Sequence, residues 1–240
     1  MEKKLAGVFL LFVLISFIAA QFFVPQLASA TLTREIKDKA ATNDVQLTLS
    51  SRPNALMCLG YLDDVAAVAH DAKLGEVYAS ELSLTGKGIK IDMVNLLRGG
   101  ELNLQKADEL GLRAIFSEEN FRELLSRKVD KLSNVHVAVT PDRISMTAEV
   151  KMFGRPVEAQ VDGVVVEDSG VLYFRMTRMN MKKSLFGRIN IGNFFGDIAL
   201  FGSDKLPFNL KIDDVIMQEG HVTVTAKRVN GNNGNNDGAR

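Results

Sequence analysis

The histidines and the paired aspartates are the residues best suited to acid–base or metal chemistry. Three histidines occur, and none has the spacing of a metal-ligand motif: His70, His136 and His221. His70 and Asp71 are neighbours in a strand-like stretch, so their side chains should point to opposite faces and cannot simply converge. The same reasoning applies to two acidic pairs, Asp63-Asp64 and Asp213-Asp214. We expect these groups to lie on solvated strand faces.

Motifs of known enzyme classes are absent from the sequence. It has no G-x-S-x-G elbow, phosphate-binding glycine loop, H-E-x-x-H or paired-cysteine motif. We therefore predict that the protein is not an enzyme and uses no cofactor or metal. An esterase built from scattered residues would need Ser, His and Asp side chains to meet in one groove.

An apolar, glycine-rich segment, Ser184–Phe201, is the first feature that favours binding. Its glycines make a regular helix unfavourable. The segment either packs under a sheet as irregular structure, or lines an acyl-chain cavity or dips into a bilayer. On the second interpretation, the predicted lipid-binding residues are Phe186, Ile189, Ile191, Phe194, Phe195 and Phe201, with Phe121, Leu125, Phe174 and Met176.

A basic cluster beside this segment is the second feature. Its members are Arg175, Arg178, Lys182, Lys183 and Arg188. They form either an ordinary solvated edge or a rim that meets lipid phosphate, where each basic group contributes about 1 kcal/mol near anionic lipid. An apolar surface beside positive charge suits an amphiphile, because the tails need a dry surface and the head needs charge compensation.

The N-terminus carries the signal for cellular location. Lys3 and Lys4 precede an apolar run, Leu5–Val24, whose helical length of about 30 Å matches a bilayer core. The lysines favour a cytoplasmic N-terminus. Residues 1–30 are then an uncleaved signal anchor, or a signal peptide cleaved near Ala28-Ser29-Ala30. Both alternatives place the body at the cell membrane on its extracytoplasmic side.

The body, residues 31–229, shows the pattern of a helix followed by long amphipathic strands. A helix over Thr31–Ala41 is predicted by the spacing of Leu32, Ile36 and Ala40, and a second helix by the cap Ser117. Period-two alternation dominates elsewhere, with strands of about eight to eleven residues, which must coil strongly. The strand patterns include an irregularity near Ser80–Glu81, a turn at Gly86-Lys87-Gly88, a four-strand meander over 135–176, and a final hairpin at Glu219-Gly220.

These patterns predict an α+β fold in which a strongly coiled antiparallel sheet wraps around one or two helices and leaves an apolar groove. Residues 230–240 are mostly Asn and Gly and are predicted to be a disordered tail. The single cysteine, Cys58, lies in an apolar run and is predicted to be buried. Lys+Arg and Asp+Glu number 29 each, so no global field favours nucleic acid.

A series of short motifs in this order resembles the LmeA-type phospholipid-binding family of bacterial exported proteins. The motifs, spread over residues 25–228, are Val24-Pro25-Gln26-Leu27, the strand Asp44–Leu49, Ala55–Gly60, Gly88–Asp92, Asn95–Gly99, Leu206–Ile212 and Gly220–Ala226. The resemblance implies a fold similar to the tubular lipid-binding superfamily, and phospholipid binding without catalysis.

The combined prediction is a membrane-associated module that holds an acyl chain in an apolar groove. Its expected partners are phospholipid, the membrane and an envelope enzyme of lipid metabolism. The alternative is a structural or interaction module of the envelope that uses exposed strand edges and has a core filled by side chains. A cavity wide enough for an acyl chain separates the two.

Overall fold

The computed structural model describes residues 21, 23–75, 77–128, 132–152, 155–181 and 197–228. Among these residues the structure is mostly antiparallel β, 59%, with few helices. The helices are α1 (residues 23–40), α2 (Met93–Leu97) and α3 (Glu118–Lys128), with 3₁₀ turns at Asn54–Leu59, Ser203–Lys205 and Pro207–Asn209. The strands are β1 (Val45–Ser50), β2 (Tyr61–Leu74), β3 (Val77–Ile91), β4 (Leu104–Lys106), β5 (Glu109–Ser117), β6 (Leu132–Val139), β7 (Ile144–Met152), β8 (Arg155–Asp168), β9 (Val171–Met181), β10 (Ile198–Gly202), β11 (Leu210–Gln218) and β12 (His221–Arg228).

The strands form two antiparallel sheets. Sheet 1 has the order β1-β2-β3-β5-β12-β11, with β4 paired to β3, and curls strongly into a half-barrel. Sheet 2 is the meander β10-β9-β8-β7-β6. The predicted meander and final hairpin are therefore confirmed. The sequence pattern did not show that β12 pairs with β5, which closes the hairpin onto the first half of the chain.

Helix α1 packs against the concave face of sheet 1. Ala28, Leu32 and Ala40 are buried and Ile36 is half-buried, and these four residues recur at i, i+4 spacing along one side. The predicted helix over Thr31–Ala41 is thus confirmed, with residues 23–30 added before it. One side of α1 is therefore packed against the curled sheet, while its other side is half-buried or exposed.

Two sharp bends give β2 and β3 their curvature. Pairing between these strands is interrupted opposite Asp71 and Ser80, where Asp71 has φ 48°, and again at Asp63 and Gly88, where Gly88 has φ 55°. Before the first bend Ala79 is buried, and after it the half-buried Leu82 and Leu84 pack against the core. The predicted irregularity near Ser80–Glu81 is confirmed.

The turn predicted at Gly86-Lys87-Gly88 is wrong. Strand β3 continues through these residues to Ile91, and Lys87 still pairs with Asp64 of β2. Gly88 instead allows the strand to bend, because it adopts the left-handed backbone conformation, which costs free energy for other residues.

Helix α3 begins where its cap predicted. The Ser117 hydroxyl accepts a hydrogen bond from the Asn120 backbone N–H at 3.3 Å, and the Asn120 side-chain oxygen accepts one from the Ser117 N–H at 2.9 Å. Glu118 accepts a hydrogen bond from the Val139 N–H at 2.8 Å, which joins α3 to β6. The buried side of α3 includes Phe121, as expected.

Cys58 is exposed, so the prediction of a buried thiol is wrong: the 3₁₀ turn buries Met57 and directs Cys58 outward. The run Leu5–Val24 lies mostly outside the described residues, and the tail 230–240 lies wholly outside them. No helix within the described ranges is long and apolar enough to cross a bilayer.

Candidate functional site

An apolar cleft lies between α1 and the concave face of sheet 1; we call it the α1 cleft. It consists of two adjoining chambers, an outer one of about 240 Å³ and an inner one of about 90 Å³. Four residues line both chambers and mark where they meet: Ile36, Leu84, Leu102 and Phe208. The two chambers therefore adjoin beside α1.

The inner chamber is lined by apolar side chains alone. They come from α1, from strands β1 to β5 and from the segments at residues 102 and 208: Leu32, Ile36, Leu47, Leu62, Val65, Leu84, Ile89, Ile91, Leu102, Leu104, Leu110 and Phe208. No side chain in this lining can form a hydrogen bond, so a polar group placed there would lose its hydrogen bonds to water. The chamber suits a hydrocarbon guest and rejects a polar one.

Small side chains form part of the lining of the outer chamber. Ala67 of β2 is buried there, beside Ala69, which packs with Ala40 of α1, and larger residues at these positions would fill the space. The alternation of alanines in β2 was visible in the sequence, and it is the signal that could have located the cavity. Without α1 in place, however, the pattern does not say what these alanines face.

Basic residues surround the opening of the outer chamber. Lys39, Lys73 and Lys205, here called the lysine mouth, line it together with Glu35. Lys39 lies 3.4 Å from Glu35, and Lys205 lies 3.4 Å from Asp204. Lys73 is exposed and makes no ion pair with any residue that the structure describes. The lysine mouth therefore carries an excess of positive charge beside an apolar chamber.

Phe208, which lines both chambers, has an unusual backbone conformation. Its φ and ψ are 57° and 27°, and Asn209 follows with φ 56°. A bulky residue in this left-handed region costs on the order of 1–3 kcal/mol. The buried neighbours Leu206 and Leu210 anchor the segment on both sides and keep the ring at the cleft.

The residues considered for catalysis lie away from the cleft. His70 pairs with Asp44 at 3.1 Å, His221 lies 3.0 Å from the Gln218 side chain, and His136 is exposed. No histidine lines either chamber. Among the described residues, no group of three or more His, Cys, Asp or Glu side chains is placed to hold a metal ion.

The aromatic residues predicted to bind lipid belong to a second region. Phe121 and Phe201 both contact Phe116, with ring centroids 6.2 Å and 5.7 Å apart, and Phe174 is fully buried against Gly163. Met176 is half-buried on the same core, and Leu125 belongs to α3. Phe121, Phe174, Phe201 and Met176 do not line the α1 cleft. Five others lie outside the described residues: Phe186, Ile189, Ile191, Phe194 and Phe195. Their contact with lipid stays a prediction.

The predicted headgroup residues are only partly described. Arg175 donates to both Asp197 carboxylate oxygens, at 2.7 Å from Nη2 to Oδ2 and 3.2 Å from Nε to Oδ1. These hydrogen bonds lower the pKa of Asp197 and raise that of Arg175. Arg178 is exposed on β9, while Lys182, Lys183 and Arg188 lie outside the described residues. Sequence reasoning missed the lysine mouth because its members come from three distant segments.

A concave apolar site with a few convergent charged groups is typical of a protein that binds an amphiphilic small molecule. The chain belongs to the LmeA-like phospholipid-binding family, whose model matches residues 19–227. The resemblance inferred from the motif order is thereby confirmed. This is a family of lipid-binding proteins and not of enzymes. No curated protein and no solved structure matches the chain.

Proposed function

We propose that the protein binds a phospholipid with one acyl chain in the α1 cleft and the phosphate at the lysine mouth. The wholly apolar inner chamber beneath α1 carries this proposal. Each methylene group that leaves water for such a chamber contributes about 0.8 kcal/mol. A hydrocarbon chain is therefore stabilised in the cleft, whereas a polar ligand loses hydrogen bonds there.

The size of the cleft favours a single chain. The outer chamber, about 240 Å³, falls somewhat below the range of about 300–1,000 Å³ that small-molecule sites usually occupy. The second acyl chain of a phospholipid then lies at the opening, near the half-buried residues Phe208 and Leu82. In this proposal the α1 cleft serves as the groove of a tubular lipid-binding fold, with α1 as one wall.

The proposal includes a location and a role. The run Leu5–Val24 holds the chain at the membrane with its body on the extracytoplasmic side, where it supplies or presents phospholipid to an envelope enzyme. The alternative of a purely structural module predicted a core filled by side chains. The presence of two apolar chambers favours the lipid-binding function.

The experiment fills the cleft and measures bound lipid. Ala67 faces the outer chamber, and its neighbour Ala66 points to the opposite face of β2. The full chain is purified as wild type, Ala67→Phe and Ala66→Phe, and extracted lipid is quantified by mass spectrometry. We expect a several-fold loss of phospholipid in Ala67→Phe only. Equal phospholipid in the two variants, or none in the wild type, would contradict the proposal.

A second variant guards against misfolding. Overpacking a core costs about 1–3 kcal/mol, so Ala67→Phe is checked by circular dichroism and thermal unfolding. Leu102 is half-buried where the chambers meet, and Leu102→Trp fills the same space from a more tolerant position. Loss of lipid in both folded variants supports the α1 cleft as the site.

A further inference from the structure

Five large apolar side chains are exposed on three separate elements. They lie on α1, at the end of the first 3₁₀ turn and on α2: Phe23 (71% exposed), Leu27 (56%), Leu59 (62%), Val94 (51%) and Leu97 (48%). We call this set the apolar end face. Isolated exposed apolar residues are ordinary, but a contiguous group marks an interaction site.

Hydrogen bonds bring the three elements to one end of the molecule. The side-chain oxygen of Gln21, next to α1, accepts from the Asn54 backbone N–H at 2.8 Å, and the Asn54 side chain donates to the Gln21 carbonyl at 3.1 Å. The Gly60 carbonyl, just after the 3₁₀ turn, accepts from the Ile91 N–H at 2.9 Å, beside the start of α2. The three elements are thus held side by side.

Each element also buries its other side, so the exposed residues are not unfolded ends. Ala28 of α1, Met57 of the 3₁₀ turn and Met93 and Leu96 of α2 are all at most 4% exposed and belong to one core cluster. Each element therefore packs one side into the core without using Phe23, Leu27, Leu59, Val94 or Leu97. These five side chains are left for a partner.

The sequence before α1 identifies the partner as a bilayer surface. The predicted membrane segment, Leu5–Val24, runs directly into α1 at the apolar end face. Nearby side chains suit an anionic interface: Arg52 and Arg98 are exposed, and Lys90 lies 4.8 Å above the Tyr61 ring. Aromatic and basic residues are typical of the regions of proteins that lie at a membrane–water interface. The acidic neighbours are Asp63, which accepts from the Arg52 N–H, and Asp92, which caps α2. Glu35 and Asp38 also line a recess between α1 and α2 together with Leu97.

We propose that the apolar end face docks onto the bilayer surface and fixes the orientation of the body. Lys39 of the lysine mouth follows Leu27 by twelve residues on α1, about 18 Å along the helix axis. This inference uses the membrane location in the proposed function, and does not depend on lipid in the α1 cleft.

A single introduced tryptophan tests the docking directly, because the chain contains none. Val94→Trp places the indole on the apolar end face, and Ile216→Trp places it on β11 at a comparably exposed position, 47%. Full-length protein is reconstituted into vesicles of phosphatidylcholine and phosphatidylglycerol with brominated acyl chains. We expect quenching at position 94 to exceed that at position 216 several-fold, with a blue-shifted emission. Equal quenching at both positions, or none at position 94, would overturn the inference.

Two further variants separate docking from lipid uptake. In the Ala67→Phe background, where the cleft is filled, quenching of Trp at position 94 should persist, because it arises from the bilayer. Loss of quenching there would overturn the docking and point to lipid inside the cleft as its source. Leu97→Glu adds a charge to the apolar end face and should reduce the quenching at position 94 by at least half. Unchanged quenching with Leu97→Glu would also overturn the inference.

Discussion

Phe208 and Ile36 both line the inner and the outer chamber, so these two side chains stand where the chambers of the α1 cleft meet. Ile36 comes from α1, and Phe208 comes from a segment far along the chain that precedes β11. The passage between the chambers is thus bounded by residues that are distant in the sequence. Its width depends on the backbone conformation of Phe208.

Two substitutions of Phe208 separate the role of its ring from the free-energy cost of its left-handed backbone conformation. Phe208→Ala removes the ring but keeps a non-glycine residue at φ 57°, while Phe208→Gly also removes the backbone cost. We expect both variants to exchange phospholipid faster than wild type between labelled and unlabelled vesicles. Phe208→Gly should be more stable than Phe208→Ala by about 1–2 kcal/mol in urea unfolding. Wild-type exchange rates in both would remove Phe208 from the passage.

Reversing charge at the lysine mouth should change headgroup preference and leave chain binding intact. In Lys73→Glu/Lys205→Glu we expect a several-fold loss of phosphatidylglycerol, with phosphatidylcholine bound as in wild type, measured by competitive loading and mass spectrometry. Near anionic lipid each basic group is worth about 1 kcal/mol, so the preference should also weaken with salt. Lys211→Glu, exposed on β11, is the matched control. An unchanged preference would exclude these lysines from headgroup binding.

Gly88 should be needed for the second bend of β3. Its φ of 55° costs about 1–2 kcal/mol for any residue with a Cβ, and a Cβ there would meet the Asp108 carboxylate. We expect Gly88→Ala to lower the free energy of unfolding by that amount. Gly111→Ala is the control, because the nearest neighbour of its Cβ is the Thr85 hydroxyl at 3.5 Å, and it should be neutral or slightly stabilising. Equal changes in the free energy of unfolding for Gly88→Ala and Gly111→Ala, measured by chemical denaturation, would contradict this account of the bend.

The ion pair between Arg175 and Asp197 should give β9 and β10 a pH-dependent link. The pKa of Asp197 is lowered, because Arg175 hydrogen-bonds to its carboxylate, so the link is complete above the ordinary aspartate pKa of about 3.9. It is lost as the pH falls through the lowered pKa. We expect wild type to be slightly more stable than Asp197→Asn at pH 6, and the difference to disappear in strong acid.

The control for this ion pair removes its other half. In an Arg175→Gln background, Asp197→Asn should have little effect on thermal unfolding at either pH, because the carboxylate no longer has its partner. The pair is exposed to solvent, so added salt should also reduce the difference. A difference between wild type and Asp197→Asn that persists in strong acid would contradict the assignment.

The sequence predicted local structure well where one residue type decides it. Ser117 located the start of α3, and the period-two pattern of Leu110, Leu112, Ala114 and Phe116 located β5. It failed at Gly86-Lys87-Gly88, because a glycine pair serves equally for a chain reversal and for a bend within one strand. Only the partner strand β2, which continues opposite β3, distinguishes the two.

The site was harder to predict because its walls are distant in the chain. The apolar face of α1 was recognised, but its burial against Ala67 and Ala69 depends on the curl of sheet 1. Lys39, Lys73 and Lys205 have no common motif, and their proximity is a property of the folded chain alone. The segment Ser184–Phe201 has an unusual aromatic and glycine-rich composition that suggests a binding site. The residues of the cleft are instead of ordinary core types, which the sequence does not distinguish from other buried residues.

The position of a bound acyl chain tests the central claim most directly. Full-length protein in vesicles is loaded with a phospholipid that carries a diazirine at the end of one acyl chain, irradiated, digested and sequenced by mass spectrometry. We expect adducts at Ile36, Leu84 and Leu102 in wild type and Ala66→Phe, and their loss in Ala67→Phe. Absence of these adducts, with labelling of the body confined to other regions such as Ser184–Phe201, would contradict a lipid site in the α1 cleft.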